Sequence, residues 1–111
     1  MKTYLQVFTT VDDPTRAREL AQGLVDARLA GCVQIVGPME STYWWQGKRE
    51  TAREYLLLIK TRSDLYPQLE AWLKEHHPYD VPEILAVPVS VGLPAYLQWL
   101  DQSLHPPKPT V

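Results

Sequence analysis

From Tyr4 to Val11 apolar side chains fall at both parities, Leu5 and Val7 on one and Tyr4 and Phe8 on the other, the pattern of a central strand covered on both faces. Asp12-Asp13-Pro14 follows, a capping residue with proline at the first helical position, where its missing amide is not needed. Ala17, Leu20, Ala21, Leu24, Val25 and Leu29 then recur at helical spacing, and Gly31 reads as the stop. The pattern predicts a crossover helix with one apolar stripe against a sheet.

A second strand opens at Cys32-Val33-Gln34-Ile35-Val36, is interrupted at Gly37-Pro38 as a bulge or edge position requires, and resumes through Ser41-Thr42-Tyr43-Trp44-Trp45. Gln46-Gly47-Lys48 reads as a hairpin turn, with Glu54 to Thr61 returning as an apolar strand. A second helix is expected with Asp64 as cap, the apolar face Leu65, Leu69, Trp72 and Leu73 continuing to His76, and Pro78 as its end. Val81 to Val91 reads as a fourth strand, confined to an edge or bulge by Pro82 and Pro88. Leu93-Pro94 starts a short last helix with Tyr96, Leu97, Leu100 and Leu104 inward.

Strand, helix, strand, strand, helix, strand is the split βαβ order, so the expected fold is α+β: a ferredoxin-like βαββαβ antiparallel sheet with a long β-hairpin and a short C-terminal helix. The domain would span 1–104, with 105–111 as a proline-rich flexible tail. The hairpin arms overrun the other strands and carry Tyr43, Trp44 and Trp45, whose rings one small sheet face has no room to bury. Uncovered edges of that length favour a closed oligomer.

Composition narrows the function. At 111 residues, 45% hydrophobic and 22% charged, the chain suits one globular domain with its own core. A net charge of −2 gives no basic excess for phosphate binding, so no nucleic acid partner is expected. Cys32, the lone cysteine, has no intramolecular partner, and the N-terminal stretch lacks a signal-like apolar run, which predicts a cytoplasmic setting. No apolar run approaches the ~20 residues a membrane helix needs, so no membrane association is expected. The sequence shows no nucleophile-base-orienter set, glycine-rich phosphate loop or paired-cysteine motif, and therefore predicts neither an enzyme nor an organic cofactor.

Leu29-Ala30-Gly31-Cys32-Val33, Ser41 to Lys48, Glu54 to Thr61, His76-His77-Pro78-Tyr79-Asp80-Val81-Pro82-Glu83-Ile84 and Tyr96 to Leu100 together resemble the CutA family of divalent-cation tolerance proteins, in family order from Tyr4 to about Leu104. The resemblance implies a ferredoxin-like homotrimer with hairpins extending neighbouring sheets, and a link to divalent cations, especially copper. It also implies an architecture similar to the PII signalling trimers. Gly31 and Gln34 stand where the family usually has a small residue and Asn. A copper site assigned in some members to a first-strand cysteine and adjacent histidines maps onto Thr9, His76 and His77, so the soft ligand is missing.

Two readings stand for each candidate. His76 and His77 suit Cu(II) or another divalent cation, or else His76 lies at the apolar seam of its helix and His77 at the surface. Cys32 reads as a small core residue, or as a ligand or nucleophile. Glu54, Lys60, Tyr79 and Glu83 sit within or beside apolar strands, a placement that requires pairing. They would form intersubunit ion pairs or, with Cys32, line an intersubunit cleft for a small polar or anionic ligand.

Overall fold

The computed structural model describes residues 3–106. Its elements are β1 (Tyr4–Val11), α1 (Pro14–Asp26), β2 (Cys32–Trp45), β3 (Lys48–Arg62), a 3-10 turn (Ser63–Leu65), α2 (Tyr66–His76), β4 (Leu85–Pro88) and α3 (Pro94–Ser103). They build an antiparallel four-stranded sheet in the order β2-β3-β1-β4, the ferredoxin-like arrangement. The proline-bearing β4 is at one edge and β2 at the other.

Alternation along the strands divides the sheet into two faces. Val7 and Val11 of β1 and Leu57 and Ile59 of β3 meet Ala17, Leu20 and Leu24 of α1 and Leu69 and Leu73 of α2 in the main core. Asp13 caps α1 as expected, its carboxylate accepting from the Thr15 amide at 2.7 Å, worth about 1 kcal/mol. A second, smaller core joins Leu65, Leu100 and Leu104 with Tyr4, and seats α3 at one end of the opposite face.

Several expectations are corrected. Helix α1 ends at Asp26, and Arg28, not Gly31, takes the left-handed position at φ 59°. Val25 and Tyr96, read as inward, are exposed. Asp64 does not cap α2: it lies in the 3-10 turn and binds Arg62, while α2 starts without a side-chain cap. The fourth strand is much shorter than Val81 to Val91, because its ladder with β1 covers only Leu85 to Pro88, between the donorless Pro82 and the terminal Pro88. His105, placed in the flexible tail, is held at both backbone groups: its amide donates to the Arg28 carbonyl at 3.1 Å, and its carbonyl accepts from Arg62 at 2.7 Å. The rest of that tail from residue 107 lies outside the described residues.

The hairpin is as long as its sequence suggests. Register runs from Cys32↔Lys60 to Trp45↔Lys48, with a shift between Val36 and Met39 at the cis Gly37-Pro38 peptide. At the tip Gln46 and Gly47 have φ of 50° and 75°, the paired left-handed residues of a two-residue turn. Beyond the helices the arms are bare: Trp44 is 77% exposed and Trp45 59%.

Candidate functional site

The face turned away from α1 and α2 carries the candidate residues. By alternation and register it presents Gln6, Phe8 and Thr10 of β1, Glu54, Leu56, Leu58, Lys60 and Arg62 of β3, Gln34 and Val36 of β2, and Leu85 and Val87 of β4. Leu85 is 61% exposed, and Val36 and Val87 are also exposed, whereas the charged Glu54 and Arg62 on this same face are buried.

At one end, Glu54 accepts a hydrogen bond from the Tyr79 hydroxyl at 2.8 Å. Burial raises the Tyr79 phenol above its ordinary value, and the bond to Glu54 raises it further, so the phenol remains a donor. Tyr79 arrives from the segment after α2, which turns at His77. His77 is 7% exposed, and its ring Nε2 pairs with the Thr10 carbonyl at 2.9 Å while its Nδ1 accepts from the Tyr79 amide at 3.1 Å. Burial depresses the His77 pKa, the Thr10 contact opposing, which keeps the ring neutral.

The other end carries Lys60 and a charge-balanced cluster around Arg62. Lys60 donates to the Gln6 side chain, and its register neighbour Cys32 is half-buried rather than a sealed core residue, because β2 is an edge strand. Arg62, only 1% exposed, donates to Asp64 at 3.0 Å, to Asp101 of α3 at 3.2 Å and to the His105 carbonyl. Tyr4 completes the cluster by donating to the second oxygen of Asp101 at 2.7 Å. Hydrogen bonding to Arg62 holds the Asp64 carboxyl below its usual range. Sequence reading missed Arg62, Tyr4 and Asp101. The available signal was that Glu54, Lys60 and Arg62 share one parity of an otherwise apolar strand.

The proposed cleft set is therefore not one site within a single chain. Glu54 and Tyr79 are together, Lys60 and Cys32 are together, and the two groups lie six residues apart along β3, about 20 Å at roughly 3.3 Å per residue. Glu83 is exposed and belongs to neither. A surface depression of about 410 Å³ on the hairpin and another of about 400 Å³ between the end of α1 and α3 contain none of these residues.

The histidines reverse their expected places. His77, not His76, is buried, because α2 ends at His76 and the extended backbone at His77 (φ −76°, ψ 138°) turns its ring inward. His76 is exposed and stacks on Trp72 at 3.9 Å, with Nδ1 against the Trp72 carbonyl at 2.8 Å. Thr9 is fully buried in the helix-facing layer, and its hydroxyl has no partner among the described residues. Those residues contain no group of three or more His, Cys, Asp or Glu arranged to hold a metal ion. Thr9, His76 and His77 do not fit a chelated divalent cation. No helix among the described residues is long and apolar enough to cross a membrane.

Fold and site define a small α+β domain with one finished sheet face and one bearing two separated polar clusters, Glu54 with Tyr79 and Lys60 beside the Arg62 ion cluster. Residues 5–103 match the model of the CutA1 divalent ion tolerance protein family, and the chain belongs to that family. It is 44% identical over 97 residues to the divalent-cation tolerance protein CutA of Thermus thermophilus, covering 87% of this chain and 94% of that protein. Identity is likewise 44% over 97 residues to the chloroplastic CutA 1 of Oryza sativa, covering 87% of this chain and 55% of the rice protein. The chain spans about half the length of the plant and mammalian relatives first matched. The crystal structure of CutA1 from Oryza sativa superposes with a TM-score of 0.91 at 42% identity, over 93% of this chain and 94% of that one.

Proposed function

We propose that the chain serves divalent-cation tolerance as a non-catalytic, cytoplasmic homotrimer that binds a small polar or anionic ligand in clefts between its subunits. The observation that carries this reading is the separation of Glu54 with Tyr79 from Lys60 along one open face. No small ligand touches both ends in one chain, but the Glu54 end of one copy facing the Lys60 end of the next would bring them together. Head-to-tail contacts close into a ring when the rotation between copies allows it, and three is the count that the CutA resemblance implies. The exposed Leu85, Val87 and hairpin tryptophans give that assembly apolar surface to bury.

The test pairs sedimentation with a thermal-shift screen of common nucleotides and metabolites against Cu(II) and Zn(II), since a ligand of the native state raises its stability. A trimer stabilised by a metabolite is expected, with Leu85→Lys weakening assembly. A monomer at micromolar concentration, or a response to metal alone, overturns the reading. Weak Cu(II) contact is the second reading, favoured by the exposed His76, whose Nε2 is left open when Nδ1–H donates to Trp72.

A further inference from the structure

The adjacent histidines sit where a divalent-cation site is implied, yet their hydrogen bonds give the two rings different work. The Thr10 carbonyl only accepts, so His77 Nε2 must carry the ring proton. The Tyr79 amide only donates, so the lone pair of His77 is on Nδ1 and points at that amide. Donor and lone pair are both engaged, and the residue is 7% exposed. A metal reaching Nδ1 would have to break the Tyr79 bond; one reaching Nε2 would have to strip a proton that a buried carbonyl holds. His76 is left with Nε2 alone, outside the core and stacked on Trp72. One imidazole nitrogen is not a chelate.

We infer that His77 is a positioning residue, a neutral pin that turns the chain from the end of α2 around β1 and delivers Tyr79 to Glu54, and that the His76-His77 pair of this chain does not chelate metal. The links are continuous. The His77 amide donates to the Leu73 carbonyl at 2.8 Å, fixing the pin to the last turn of α2. Its ring joins β1 through Thr10 and orders the Tyr79 amide, and the two rings meet edge-on at 4.8 Å. The Tyr79 hydroxyl then bonds Glu54 of β3 at 2.8 Å. The inference does not depend on the cleft reading, because the pin would order Tyr79 whether or not a ligand binds beside it.

The experiment uses the full-length protein labelled with nitrogen-15, with Zn(II) alone as the probe. Ring correlations should show His77 protonated at Nε2 throughout the titration, while of the adjacent pair only His76 signals move. His77→Ala should alter Zn(II) affinity less than about twofold and speed exchange of the Tyr79 amide by about tenfold, as expected for one lost buried hydrogen bond. His77→Asn, which keeps an acceptor near the Nδ1 position, should restore protection of that amide; His77→Gln, which keeps a donor near Nε2, should not. Loss of the His77 Nε2 proton on adding Zn(II), or an affinity drop of about tenfold or more in folded His77→Ala, overturns the absence of chelation. Unchanged Tyr79 exchange overturns the positioning role. If His77→Ala fails to fold, the ring signals of the unaltered protein and the Asn and Gln variants decide both points.

Discussion

The two faces of the sheet are written by alternate residues of the same strands, and they follow opposite rules. On the helix side Val7, Val11, Leu57 and Ile59 are sealed by α1 and α2, and the hydroxyl of Thr9 is buried without a partner among the described residues. On the other side the charged Glu54 and Arg62 are buried while Leu85 and Val87 face solvent. A face that satisfies its charges internally and leaves its apolar groups outside is incomplete as a monomer surface. Intrachain packing finishes the first face; the second holds its geometry through a few polar clusters and leaves Leu85, Val87 and Val36 exposed.

Substitutions at matched depth separate the two rules. Arg62→Ala removes the charge that organises Asp64, Asp101 and the His105 carbonyl, and it should lower stability by about 3 kcal/mol in urea titration, the low end for a broken buried ion cluster because both carboxylates left behind reach solvent. A loss below about 1 kcal/mol would mean that the open face does not rest on its polar cluster. Leu57→Ala on the helix side should cost about 3 kcal/mol through an ordinary cavity. Thr9→Val should work in the opposite direction, raising stability by about 1 kcal/mol, because it replaces an unbonded buried hydroxyl with a methyl group of similar size.

The smallest effect is acid sensitivity confined to the open face. The Asp64 carboxyl lies below its ordinary 3.8 in the folded chain, so the unfolded chain binds its proton first. The stability it contributes is complete above that ordinary value and disappears as pH falls through the folded one. An acid titration of stability should show this loss in the unaltered protein and lack it in Asp64→Asn, whereas Leu57→Ala should keep it.

Much of the fold was legible because its signals are local. Asp13-Pro14 started α1, Gln46-Gly47 turned the hairpin, and Pro82 and Pro88 confined β4 to an edge. The candidate site was less legible because it depends on positions that local signals leave free by a residue or so. With α2 ending at His76, the next ring swings inward, and the expected roles of the two histidines exchange. Glu54 and Tyr79 find each other within the chain, but their separation from Lys60 follows from register, which only the paired strands reveal. Arg62 escaped notice because its partners Asp101 and His105 lie far along the chain, on and just after a helix whose placement no periodicity specifies.

The hairpin tip has a practical use. A side-chain carbon added at Gly47 would meet nothing within 4 Å, and the strands on either side are already paired up to Trp45 and Lys48. A peptide spliced between Gln46 and Gly47 would therefore leave from a closed ladder into open space, the kind of surface turn where insertions are best tolerated. An epitope or fluorophore tag placed there, beside the tryptophans that assembly would bury, would report on the hairpin from outside the core of the chain, far in sequence from both termini.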